Sequence, residues 1–197
     1  CFVPDDLETI AAESTIYPPP PPAPGVSLSK TTASVSETLT TDSFTIKLDS
    51  EPESNVVINL SDNDTGEATI SASTLTFTSS DWSAGQTVTI TGVDDDFADG
   101  SQTVLITIYV DNSSDATYAA LDNQTVTVTN TDAGESLGFT ITETNSSTSV
   151  TESGGTDNLS IVLTSEPFAN VILSIASTDT GEVTVSPSSL TFTASDW

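Results

Sequence analysis

One stretch of this chain returns almost in register further along. VSETLTTDSFTIKLDSEP at Val35–Pro52 reappears as VTESGGTDNLSIVLTSEP at Val150–Pro167. DTGEATISASTLTFTSSDW at Asp64–Trp82 reappears as DTGEVTVSPSSLTFTASDW at Asp179–Trp197. The offset is 115 residues and holds without a gap to Trp197, with roughly half the aligned positions identical. A period this long indicates tandem whole domains and not a solenoid.

Within each copy the apolar residues alternate with polar ones at period two, the spacing that puts side chains on one face of a strand. Phe44, Ile46 and Leu48 share a face, as do Val56, Ile58 and Leu60, and later Val104, Ile106, Ile108 and Val110. The opposite positions are mostly Thr, Ser and Asn, which suits sheets wet on one side. Turn residues such as Asp64-Thr65-Gly66 and Asp99-Gly100 separate about seven strands between 26 and 131. The pattern predicts an all-β chain of tandem antiparallel β-sandwiches. Three regions follow: an arm with a Pro-rich spacer over 1–25, a sandwich over 26–133, and an incomplete second sandwich over 134–197.

The second copy has nothing corresponding to 83–132. Leu159, Ile161, Leu163, Val171, Leu173, Phe192 and their neighbours then face a core that is missing. At roughly 1.5–3 kcal/mol per large side chain, some 15–30 kcal/mol of burial is lost, more than the roughly 5–15 kcal/mol that holds a domain together. The expectation is that further chain, or a neighbouring chain, completes this sandwich.

The charge narrows the function classes. There are 29 Asp and Glu against 2 Lys and Arg, a formal net charge of −27. Nucleic acid is excluded as a partner, because binding it needs a basic face. Histidine is absent and Cys1 is the single cysteine, which removes the usual general base and the usual zinc and copper ligands. No nucleophile elbow, P-loop, dinucleotide fingerprint or zincin motif appears. The expectation is a protein that is not an enzyme and has no small-molecule substrate. Cys1 at the first position, an acidic arm and Pro18–Pro22 fit an exported outer-membrane lipoprotein at the cell surface. Lipid on Cys1 would be its membrane anchor, and the proline run a semi-rigid polyproline II spacer.

Between two strong strands, Asp94, Asp95, Asp96 and Asp99 fall within six positions with no Lys or Arg nearby in sequence. Like charges this dense need a counterion or bulk water. Ca²⁺, which takes six to eight oxygens in irregular geometry, suits such a loop better than Mg²⁺.

Val35-x-Glu37 followed by Gly92-Val93-Asp94-Asp95-Asp96-x-x-Asp99 and a Val/Ile strand resembles the Calx-β module. That module occurs in sodium–calcium exchangers, in one integrin β subunit and in long arrays on bacterial surface proteins. The resemblance covers 26–133 and again 137–197. It implies an immunoglobulin-like sandwich with calcium at one end, held by Glu37, Asp94, Asp95, Asp96, Asp99 and Asp132. Asp62 or Asp64 would add a ligand from a mid-domain turn, and Glu152 would open the equivalent site of the second copy. The chain departs from the family pattern at Gln102, where exchanger domains carry a further Glu, and at Asp132, which stands without further Asp beside it. Both departures imply fewer ions or weaker binding. Three roles follow: a calcium-stabilised stalk, a subunit of a cell-envelope filament or assembly among neighbouring copies, and an adhesin binding carbohydrate or protein. The stalk and the assembly subunit are the preferred readings.

Overall fold

The computed structural model describes Pro20 and residues 22–197. Cys1 and most of the expected arm and spacer therefore lie outside the described residues. The first copy contains β1 (Val26–Leu28), β2 (Thr32–Ser36), β3 (Thr41–Leu48), β4 (Val56–Asp62), β5 (Ala68–Ile70), β6 (Thr74–Phe77), β7 (Gln86–Gly92), β8 (Gln102–Val110) and β9 (Gln124–Thr131). They form two sheets, ordered β1-β3-β7-β5 and β2-β9-β8-β4-β6. This is an immunoglobulin-like sandwich. The alternation seen in the sequence supplies the core: Phe44, Ile46, Val56, Ile58, Phe77, Val88, Ile90, Val104, Ile106, Val126 and Val128 are essentially inaccessible to solvent.

Nine strands stand where about seven were expected. β1 pairs antiparallel with β3 in one sheet, whereas β2 pairs with β9 in the other. The chain crosses between sheets over the three residues that separate them. The β2–β9 pair is also parallel, a departure from an all-antiparallel sandwich. A short helix, α1 (Ala116–Ala119), closes the end of the sandwich that holds the β3–β4 turn. Tyr118 plugs the core there and its hydroxyl donates to the Ser50 carbonyl at 2.6 Å. Asp115 caps the helix and accepts from the Thr117 hydroxyl and from the N–H groups of Thr117, Ser54 and Glu53, which hold its pKa down at about 2.

The second copy has four strands: β10 (Phe139–Glu143), β11 (Leu159–Leu163), β12 (Val171–Ser174) and β13 (Ser189–Phe192). β12 and β13 pair Val171 with Phe192, the same register as Val56 with Phe77. β10 and β11 pair Phe139 with Leu163 as β1 and β3 pair Val26 with Leu48, and Thr164 N–H donates to the Gly138 carbonyl as Asp49 N–H does to that of Gly25. Gly25 and Gly138 are 113 residues apart, so the second copy carries two extra residues between this leading strand and Val150.

Candidate metal centre

Three strands break their inward-facing apolar register near one end of the first sandwich, two with a polar residue and one with glycine. β2 buries Ala33 and Val35, and the next inward position is Glu37, 1% exposed. β9 buries Val126 and Val128, and the next is Asn130, also 1% exposed. β7 buries Val88 and Ile90, and the next is Gly92. A Cβ on Gly92 would lie 2.2 Å from the Ser36 carbonyl oxygen and 2.9 Å from Asn130 Oδ1. Only glycine lets the three strand ends converge this closely. Glu67, 8% exposed, joins them from the residue before β5.

Carboxylate oxygens of Glu37, Glu67 and Asp95 lie within 4.8 Å of one another, and so do those of Glu37, Asp132 and Glu135. Glu37 belongs to both groups. Ala133 N–H donates to Glu37 Oε2 at 2.6 Å. Asn130 Nδ2 donates to Glu67 Oε2 and to the Val93 carbonyl, each at 3.1 Å. Asp132 is tied down by the N–H groups of Gly134 (2.7 Å) and Gly100 (2.9 Å). Two oxygens in this region are buried with no donor: Asn130 Oδ1 and Glu135 Oε2.

The electrostatics follow from burial and like charge. Burial pushes the Glu37 carboxyl up, with Asp95, Asp132 and Glu135 adding to the push against the Ala133 N–H. Burial also raises Glu67, and Asp99, Asp95 and Asp64 add to it while the Asn130 amide opposes. Asp132 moves the other way, because the Gly134 and Gly100 N–H groups stabilise its charged form. No cationic side chain offsets these charges. Lys30 is bound to Asp42, and Lys47 sits at the far end of β3, opposite Ser27.

An all-oxygen set with spacing up to 4.8 Å fits a hard cation. Twice the 2.3–2.6 Å calcium–oxygen distance is about 5 Å, and the two orphaned oxygens are spare acceptors.

Of the residues singled out in the sequence, Glu37, Asp95 and Asp132 come together. Asp94, Asp96 and Asp99 are exposed on the same loop and enter neither group. Asp99 and Asp64 act on Glu67 through charge alone, and Asp62 lies in β4 opposite Ile106. Glu152 is exposed and borders an open hollow of the second copy together with Glu182, the counterpart of Glu67. Glu67, Asn130 and Glu135 were missed. Two of them had a signal: Glu67 recurs as Glu182 in the repeated DTGE, and Asn130 breaks the apolar register of β9.

No family model matches the chain, and comparison with curated proteins gives no match. Among solved structures, the periplasmic chaperone SfaE is similar over 56% of this chain, at 11% identity and a TM-score of 0.41. The class 5 fimbriae chaperone CfaA is similar over 86%, at 6% identity and 0.43. SSP-19, an MSP-domain protein like family member of Caenorhabditis elegans, is similar over 55%, at 12% and 0.37. The shares of those chains covered are 59%, 79% and 99% respectively. The chain thus spans less than two thirds of SfaE, and it covers 57% of the E. coli chaperone DraB. At these scores the likeness is of general β architecture.

Proposed function

We propose that this chain is part of an exported, non-catalytic stalk of calcium-stiffened, Calx-β-like sandwiches. The observation that carries the reading is Glu37, a carboxylate 1% exposed and shared by two carboxylate groups with no cationic side chain among them. A charge buried among like charges is costly unless neutralised. Glu37, Glu67, Asp95, Asp132 and Glu135 would hold the ion, with Asn130 Oδ1 as a neutral donor. Calcium bound there neutralises the cluster and ties β2, the β7–β8 loop and the chain after β9 to one another. A rod of such modules gains stiffness where ions cross-link its loops. Attachment through lipid on Cys1 would place the rod at the cell surface.

The test is thermal unfolding of the full chain in chelator and in millimolar Ca²⁺. For a site of about 10⁻⁴–10⁻³ M, calcium at about 100 times Kd adds roughly 2.7 kcal/mol. An unchanged melting temperature overturns the calcium reading. For the anchor, intact mass of the native protein decides, and a free thiol at Cys1 overturns it.

A further inference from the structure

The β3–β4 turn of the first copy, at 50–54, borders a hollow that Pro22, Pro24 and Tyr118 also line. Its repeat in the second copy, at 165–169, borders a hollow that opens instead onto Leu163, Val171 and Leu173, the counterparts of buried Leu48, Val56 and Ile58. Residue 53 is acidic in one copy and its counterpart 168 is aromatic in the other.

Phe168 is 72% exposed, and among the described residues the ring it meets belongs to the other copy. It stacks on Phe97, with centroids 4.6 Å apart and planes 9° from parallel. Phe97 lies on the acidic β7–β8 loop of the first copy. Beside the stack, the Glu166 N–H donates to the Asp96 carbonyl at 2.8 Å. The main-chain bond tolerates any side chain, so the ring pair supplies the selectivity. A glutamate at 168 would instead set a carboxylate against the loop of Asp94, Asp95, Asp96 and Asp99, and like charges repel.

We propose that the β7–β8 loop of one module is the docking knob for the turn, here at 165–169, at the leading end of the next. The residue at position 168 decides whether a module accepts an upstream neighbour: Phe168 accepts one, and Glu53 refuses one. The leading end of the first module is then left to the Pro-rich segment, and the modules stack in one direction only. The inference deepens the rod reading, since a rod needs fixed joints, but the contact itself involves no metal.

The experiment measures joint rigidity in the full chain. Ser73→Cys and Ser188→Cys, exposed equivalent positions, carry spin labels in a Cys1→Ser background, and dipolar spectroscopy in chelator gives the distance distribution between them. A narrow distribution is expected for the parent. Phe168→Glu and Phe97→Ser should each widen it at least twofold without changing the melting of the first module, and Phe168→Tyr should keep it narrow. A parent distribution as wide as that of Phe168→Glu, or a width indifferent to both substitutions, overturns the proposal. Because chelator is present throughout, that result leaves the calcium reading standing, and a failed calcium titration leaves this one standing.

Discussion

The two copies start from closely similar sequences and end in different states. Over the shared stretch the first forms six strands and the second forms four. The missing strands are the counterparts of β2, at 147–151, and of β5, at 183–185. In the first copy β2 pairs only with β9, and β5 only with β7. Neither β7 nor β9 has a counterpart in the second copy. The strands that remain are those whose partner is also present: β10 with β11, and β12 with β13. Sequence propensity alone therefore does not make a strand here, and a ladder partner does. Side chains tell the same story, since Leu48 is 1% exposed whereas the face lined by Leu137, Phe139 and Ile141 is open to solvent.

The largest effect should come from separating the copies. Residues 22–133 alone should unfold in one cooperative step. Residues 134–197 alone should show no cooperative melt by circular dichroism, because the roughly 15–30 kcal/mol of burial expected of a full core is missing. Joining a copy of 83–133 after Trp197 should restore a second transition. A cooperative, monomeric melt from 134–197 by itself would break the comparison.

Calcium should act on one copy only. Glu37→Gln should abolish most of the roughly 2.7 kcal/mol gained at about 100 times Kd, whereas Glu152→Gln should leave the gain intact. An equal loss from Glu152→Gln would mean that the second copy holds an ion as well.

Gly92→Ala should destabilise the first copy by about 1–3 kcal/mol, the usual cost of forcing an extra carbon into a packed site. The neighbours its Cβ would strike are backbone atoms of Ser36 and the Asn130 amide, which cannot simply rotate away. Gly181→Ala, at an exposed turn of the second copy where the added carbon would meet a single Asp179 carboxylate oxygen at 3.2 Å, should cost far less. Urea midpoints of the two variants make the measurement, and equal losses would show that convergence around Gly92 is not what it constrains.

The core was legible because period-two alternation reports directly on which side chains point inward. Phe44, Val88 and Val126 are buried where the alternation puts them. The sheet switch between β1 and β2 was not legible, since Ser29, Lys30 and Thr31 resemble any polar turn. For the candidate centre, the dense aspartate run drew attention to the loop. The structure draws one of those residues, Asp95, together with Glu37 and Glu67. Which acidic residues converge depends on strand ends meeting across two sheets, and sequence spacing carries no information about that. Glu37 was flagged through the family resemblance, and Asn130 could have been flagged as a polar residue continuing an apolar register. Such residues are expensive to bury and so mark sites.

The smallest effect concerns pH, and it too should divide the copies. The groups displaced upward, Glu37 and Glu67, both belong to the first copy and start from an ordinary value of 4.5. Between that value and the raised one, the folded form binds more protons than the unfolded chain. Stability must then fall as pH rises through that window and level off above it. Groups displaced downward act in the opposite sense at lower pH. Asp115, in the first copy, goes from 3.8 to about 2, and Asp157 and Asp196, in the second, are also held low by N–H or hydroxyl donors. They stabilise the fold above 3.8, and that stability is lost as the pH drops below it. In chelator, the first copy should therefore be most stable near the junction of the two windows, around pH 4. General repulsion among carboxylates also grows with pH, so a charge-matched control is needed. Glu37→Gln with Glu67→Gln should flatten the decline above pH 4.5, whereas Glu51→Gln with Glu53→Gln, which removes the same charge at the opposite end, should not. Equal flattening by both pairs would assign the decline to net charge. Stability that climbs steadily from pH 4.5 to 7 in chelator would show that Glu37 and Glu67 are not displaced upward at all.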